Sequence, residues 1–189
     1  MADSTISKFK STLIGGGARP NLFEVSIGGN IPGGGTLGET FNILCKAAQL
    51  PASNIASIDV PYRGRIFKVA GDRTFDPWTV TIINDEDFRI RKVMENWMQF
   101  IGQYGDASGA TNPNDYMVDA EVKQLKRGAQ SGTPITGSNA LTTAHTYKFY
   151  SIFPTNISAI DLSYDSSDTI EEFTVEFQVQ YWSPISNSK

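Results

Sequence analysis

From Glu172 to Tyr181, polar and apolar residues change places at every step. Phe173, Val175, Phe177, Val179 and Tyr181 alternate with Glu172, Thr174, Glu176, Gln178 and Gln180. A period of two predicts a strand with one dry face and one wet face. The run is longer than the usual strand of about 5–6 residues. A sheet containing it is expected to line or bridge something larger than one small domain.

Weaker copies of the same pattern recur along the chain. Leu22–Ile27, Ile55–Val60, Arg65–Val69 and the set Trp78, Val80, Ile82 read as strands, the second and third joined by the turn Pro61-Tyr62-Arg63-Gly64. Tyr116, Val118, Ala120 and Val122 alternate with Met117, Asp119, Glu121 and Lys123 in a further strand. Tyr147–Phe153 and Ile157–Ser163 read as two strands separated by Pro154. Thr40–Ala48 fits a strand and a helix equally badly. One helix is clear, over about residues 85–104, with Ile90, Val93, Met94, Trp97, Met98 and Ile101 on one face. Asn84 or Asp85 can cap it, Glu86 and Asp87 favour its positive end, and Gly102 and Gly105 end it. The expected fold class is therefore α+β dominated by β, with about eight or nine strands and one helix.

The chain has 189 residues, which makes one domain over 1–189 the expectation, with residues 1–20 a flexible N-terminal arm. Hydrophobic residues make up 40%, enough for a substantial core, while the net charge of −4 argues against a basic nucleic-acid footprint. A single cysteine, Cys45, rules out an internal disulfide and fits a reducing compartment. The N-terminus lacks a signal-peptide core, and no stretch approaches the about 18 apolar residues of a membrane span, so no membrane insertion is expected.

The candidates for chemistry are few. Gly33-Gly34-Gly35-Thr36-Leu37-Gly38 is a literal match to the dinucleotide-binding pattern, with Asp59 at about the spacing of a ribose-binding acid. Five residues, Pro32 among them, separate that pattern from the strand ending at Ile27, where a tight strand–helix turn is required. The competing reading is a flexible loop; a nucleotide-binding enzyme acting through Gly33–Gly38 is the minor alternative. His145 reads as an edge-strand residue and Cys45 as a small buried hydrophobe. Asp85-Glu86-Asp87 reads as the charged first turn of the helix. No catalytic residues, metal ligands or cofactor site emerge. Long alternating strands with undefended edges point instead to an assembly protein whose copies pack together.

Several segments carry a resemblance. Leu44-Cys45-Lys46-Ala47-Ala48-Gln49-Leu50-Pro51, Val60-Pro61-Tyr62-Arg63-Gly64-Arg65, Gly71-Asp72-Arg73-Thr74-Phe75 and Asn84-Asp85-Glu86-Asp87-Phe88 follow one another in order. With the stretch Phe153–Tyr164, they resemble the tail tube proteins of contractile-tailed bacteriophages, over residues 19–182.

The resemblance implies a fold of two antiparallel sheets in a β-sandwich or barrel with one flanking helix, and a structural subunit, not an enzyme. Six copies form a ring, and rings stack into a hollow inner tail tube that conducts DNA into the host when the sheath contracts. Implied partners are the chain itself, the sheath, the baseplate or tube-initiator proteins and the tail terminator. Double-stranded DNA would pass without specific binding. The location is the virion, and the host cytoplasm during assembly. The tube of a non-phage contractile injection system, delivering protein effectors, is the alternative. Within this frame Gly28, Gly33, Gly34, Gly35, Tyr62, Arg63, Arg65, Asp72 and Arg73 are candidates for contacts within and between rings. Asp119, Glu121, Glu172, Glu176 and Gln178 are candidates for polar faces at the lumen or an interface, where acids would repel phosphates. The loop of residues 126–140 is a further candidate for a subunit or sheath contact.

Overall fold

The computed structural model describes residues 2–13, 17–106, 108–126, 143–165 and 168–185. Nine strands are present among them: β1 (Phe23–Ile27), β2 (Cys45–Ala48), β3 (Ser53–Tyr62), β4 (Arg65–Phe75), β5 (Trp78–Ile83), β6 (Val118–Leu125), β7 (Thr143–Ile157), β8 (Glu172–Gln178) and β9 (Tyr181–Ile185). Four helices join them: α1 (Ala2–Thr12), α2 (Gly38–Leu44), α3 (Arg89–Ile101) and α4 (Pro113–Tyr116). Every paired strand is antiparallel, and the fold is α+β with β dominant.

Seven strands belong to one sheet that β7 bends into two layers. The first half of β7 lies between β6 and β9, with β1 beyond β6; its second half pairs with β8, followed by β5 and β2. The corner is at Ser151, whose φ of 55° is uncommon for a residue with a Cβ. The register shifts there, because Val118 opposes Ile152 while Ala120 opposes Phe149. Such a bulge sharpens local twist and lets a strand change sheets. The two layers, named here the β6 layer and the β8 layer, close on a shared core. Trp78 stacks on Phe149 at 4.7 Å and lies 5.3 Å from Phe177, joining the layers through their largest rings. The sheet does not close into a barrel: β1 and β2 stand at opposite ends of the strand order, and α2 packs between them. Phe41 of α2 is fully buried, and Asn42 Oδ1 accepts a hydrogen bond from Val25 N–H at 3.0 Å, covering the free edge of β1.

The structure corrects several readings. The long alternating run is two strands, broken at Val179 and Gln180 where it follows the corner of β7. The break reverses the alternation. Val179 is buried, but Tyr181, expected on the dry face, points outward and stacks on Tyr150 at 4.5 Å, while Trp182 turns inward against Tyr147. Pro154 does not divide two strands. It lies within β7 opposite Phe177, on a half-strand paired on one side only, where a missing N–H is tolerated. The ambiguous segment 40–48 is both things in turn, the end of α2 and then β2. The main helix starts later than expected, because residues 85–88 form a turn in which Phe88 N–H bonds to Asp85 O and Phe88 takes a φ of 55°. Phe88, not Asn84 or Asp85, occupies the cap position and makes no side-chain cap bond; Asp85, in the preceding turn, accepts through Oδ1 from Arg89 N–H at 2.9 Å. Residues 2–12 of the expected arm are helical, with Ile6 and Phe9 exposed.

Candidate assembly surfaces

The hairpin β3–β4 pairs with no other strand of the described residues. Its turn, Arg63-Gly64, has positive φ at both positions, the geometry that matches strand twist in a two-residue loop. Partners directly across the ladder share a face. Ile58 faces Val69 and Val60 faces Phe67, giving one apolar side; Asp59 and Lys68 form an ion pair at 3.0 Å on the other. Seven large apolar residues of this hairpin (Ile55, Ile58, Val60, Tyr62, Ile66, Phe67 and Val69) are 41% to 66% exposed. A two-stranded ribbon is marginal alone in water, and apolar patches of this kind mark association surfaces.

Of the sequence candidates, Tyr62, Arg63, Arg65, Asp72 and Arg73 all lie on this hairpin or its turn. Arg63 sits over the Tyr62 ring at 5.3 Å, at the tip. Asp72 falls at an extra residue of β4, where Ile55 opposes Arg73 but Ser57 opposes Ala70. The apolar face itself was missed. Its signal was available, in the period-two pattern Ile58, Val60, Tyr62 answered by Phe67 and Val69.

The glycine loop serves packing within the subunit. Ile31 N–H bonds to Gly35 O, and the N–H groups of Gly34 and Gly35 both turn back to Ile31 O. A Cβ on Gly34 would lie 2.7 Å from Val93 Cγ1 and 2.9 Å from Val93 O; one on Gly33 would lie 2.8 Å from Asn96 O. The loop lies flat on α3, with its amides directed inward. Asp59, the supposed ribose acid, is on the exposed hairpin and paired with Lys68. An antiparallel sheet offers no crevice of the dinucleotide-binding kind. Gly28 N–H donates to Asp119 O at 2.8 Å, so this glycine is also held by its own subunit.

The acidic candidates do not share one wall. Asp119 and Glu121 are on the outer face of the β6 layer; Glu172, Glu176 and Gln178 are on the outer face of the β8 layer. Since the layers pack through their inner faces, these two sets point in opposite directions. Asp119 has a local duty. Its Oδ1 accepts from Ser151 N–H at 3.1 Å, holding the corner of β7, and its Oδ2 meets Lys148 Nζ at 3.3 Å. That hydrogen bond raises the Lys148 pKa. Asp119→Ala is expected to lower stability by about 1–3 kcal/mol, read as a fall in urea midpoint at unchanged slope, because it orphans a half-buried N–H at a strained residue. Asp119→Asn, which keeps an acceptor, is expected to lose less.

Glu172 bonds to Lys46 across the sheet. Cys45 is buried, and its thiol pKa is pushed up to about 12 by burial. No three His, Cys, Asp or Glu residues among those described are grouped to hold a metal, and no described helix is long and apolar enough to cross a membrane. The loop candidate at 126–140 lies outside the described residues beyond Lys126.

Residues 18–184 match the family model of phage tail tube proteins. The chain is 34% identical over 165 residues to tail tube protein gp19 of Enterobacteria phage T4, covering 87% of this chain and 90% of that protein. It is 23% identical over 189 residues to the tail tube protein of Serratia phage KSP90, covering 97% and 98% of the two chains. In structure it resembles a chain of the sheath–tube complex of the extracellular contractile injection system PVC, with a TM-score of 0.56, 16% identity and coverage of 93% and 96%. A chain of that system's sheath/tube terminator gives a TM-score of 0.61 at 13% identity, with 90% and 97% covered. An exposed amphipathic hairpin on a bent antiparallel sheet, a glycine loop packed on α3, and a family match along nearly the whole chain lead to one assignment: this chain belongs to the phage tail tube protein family.

Proposed function

We propose that the chain is a structural, non-catalytic subunit that joins copies of itself into six-membered rings, and that the rings stack into the hollow inner tube of a contractile tail. The tube lies inside a sheath, between a baseplate initiator and a terminator, and double-stranded DNA passes along it without being held. Subunits fold in the host cytoplasm and end in the virion. The observation that carries this reading is the β3–β4 hairpin, whose apolar face is exposed and pairs with no other strand among the described residues. A second copy supplies that cover, and a contact between unlike patches propagates into rings or stacks.

Negative-stain microscopy of the purified full chain tests the reading. Rings or tubes of uniform diameter are expected, and a monodisperse monomer at high concentration would overturn it. Nucleotides are expected to leave the melting temperature unchanged, whereas a dinucleotide-binding protein would be stabilised by saturating ligand.

The hairpin tip also carries charge. Replacing Arg63 and Arg65 by Glu is expected to leave the monomer folded and to weaken assembly, because it reverses two exposed cations at the proposed contact. The check is the protein concentration needed for tubes, which should rise for the variant. Tubes at the parent's concentration would remove these arginines from the interface.

A further inference from the structure

We infer that α1 of each subunit docks in a groove of a neighbouring copy, the groove formed where the chain passes from β7 to β8; this rests on the tube reading and adds a named contact to it. Ile6, Phe9 and Leu13 fill the groove, and Lys10 meets its acidic rim.

The helix shows an uncovered apolar stripe. Ile6, Phe9 and Leu13 stand at i, i+3 and i+7, and Leu13 N–H bonds to Phe9 O at 3.0 Å, carrying the last turn past Thr12. These three side chains are 54%, 65% and 45% exposed. A helix of 11 residues is marginal in water, because few hydrogen bonds offset its costly nucleus. Most of its stability comes from whatever covers the stripe. At about 100° per residue, Lys10 falls beside the stripe and Lys8 on the opposite side.

The groove has matching chemistry. Its volume is about 630 Å³, and Leu162, Tyr164 and Ile170, each 72% or more exposed, line it together with Asp161 and Glu171. Its described lining contains no lysine or arginine. Both ends are pinned to the subunit. Ser158 N–H donates to Thr174 O at 2.8 Å, and Arg91 Nη1 donates to Ser158 O at 3.3 Å. At the other end Asn84 N–H donates to Glu171 O at 2.9 Å, and the Asn84 side-chain amide donates to Glu171 Oε2 at 2.9 Å. A site held this way loses little freedom on binding. Exposed apolar residues with an acidic rim complement an apolar stripe with a cation at its side.

Connectivity makes the groove a neighbour's. Gln124 Nε2 donates to Arg19 O at 2.7 Å and Leu125 N–H to Leu22 O at 2.9 Å, which ties the arm down beside the start of β7. The groove opens past Ile157, at the far end of that strand. Five residues, 14–18, join Leu13 to Arg19, a span of at most about 20 Å. β7 has 15 residues, about 50 Å along its bent path. A helix at one end of the strand and its groove at the other form a contact between unlike surfaces. Such a contact passes from copy to copy and does not stop at a pair.

Cross-linking within tubes tests the docking, aided by the burial of Cys45, the native thiol. Thr5→Cys, beside the stripe, and Thr169→Cys, in the groove, are exposed and near-isosteric, and leave the apolar side chains in place. Ser163→Cys replaces Thr169→Cys if the latter does not assemble. The two single variants are mixed, assembled and treated with a short bismaleimide. A linked pair containing one chain of each kind is expected on a denaturing gel. Thr5→Cys mixed with Ile43→Cys, exposed on α2, is expected to give none. With both cysteines in one chain, a ladder of linked chains is expected; linkage confined to single chains would seat α1 in its own groove and overturn the proposal. Lys10→Glu is expected to raise the concentration needed for tubes roughly fivefold, and Lys8→Glu to leave it unchanged. Equal effects of the two would remove the acidic rim from the contact. Tubes that form without a link between positions 5 and 169 overturn the docking and leave the tube reading intact. Absence of tubes for the parent chain overturns the tube reading itself, and the docking with it.

Discussion

A Val60→Asp, Phe67→Asp double variant is expected to form no tubes while melting close to the parent monomer. Both side chains lie on the apolar face of the β3–β4 hairpin, opposite one another in the ladder and 42% and 66% exposed. In the monomer they touch mainly water, and exposed substitutions of that kind usually change stability by no more than about 0.5 kcal/mol each. In an assembly they are covered. Burying a Val and a Phe stabilises a contact by about 4 kcal/mol together, and burying two unpaired carboxylates there costs several kcal/mol more. Loss of the apolar term alone weakens each contact on the order of a thousandfold. Lys68→Ala is the control, since Lys68 sits on the polar side of the same hairpin in an exposed ion pair with Asp59. Exposed pairs of that sort contribute about 0–1 kcal/mol, so tubes should persist. The measurement is sedimentation of assembled material together with a thermal melt of the unassembled chain. Tubes from the double variant would show that the apolar face is covered by something other than a neighbouring copy.

The same hairpin shows what could be read before the structure. Its two strands and its turn are legible because each rests on a local rule: alternation for the strands, and a residue before glycine for the turn. The amphipathic face of α3 was legible for the same reason, with Ile90, Met94 and Trp97 buried at helical spacing. The corner of β7 was not. It depends on Ser151 taking a positive φ, on a bulge against β6, and on Asp119 reaching across to the Ser151 amide. No local propensity marks Ser151 for that role, and Asp119 reads in sequence as one more wet-face acid. The break at Val179 and Gln180 is a consequence of the same corner. Because alternation resumes beyond it with the faces exchanged, Tyr181 reads as a dry-face residue although it lies outside. Position relative to a channel is further out of reach, since Glu121 and Glu176 look alike along the chain and point to opposite sides of the molecule.

The glycine run is the clearest case of one pattern serving two different physical needs, and Gly34 separates them. Gly34→Ala is expected to destabilise the monomer by about 2 kcal/mol, a fall of about 4–8 °C in melting temperature for a chain of this size. The new Cβ would meet Val93 Cγ1 at 2.7 Å and Val93 O at 2.9 Å. The methyl can rotate away, but the carbonyl belongs to the backbone of α3 and can move only with the helix. Val93→Ala in the same chain should therefore restore part of the loss and no more. Gly102→Ala is the control: nothing lies within 4 Å of a Cβ there, and its φ of −148° suits any residue. It is expected to be neutral or to raise stability slightly. Gly35 tests backbone freedom alone, since its φ of +90° strains an alanine although the space around it is open. If the run were a phosphate cradle, Gly34→Ala would cost ligand affinity and little stability, because a cradle leaves its glycines facing an empty site. A large stability loss at Gly34 with only partial rescue by Val93→Ala identifies the glycine as the point where a loop and a helix touch.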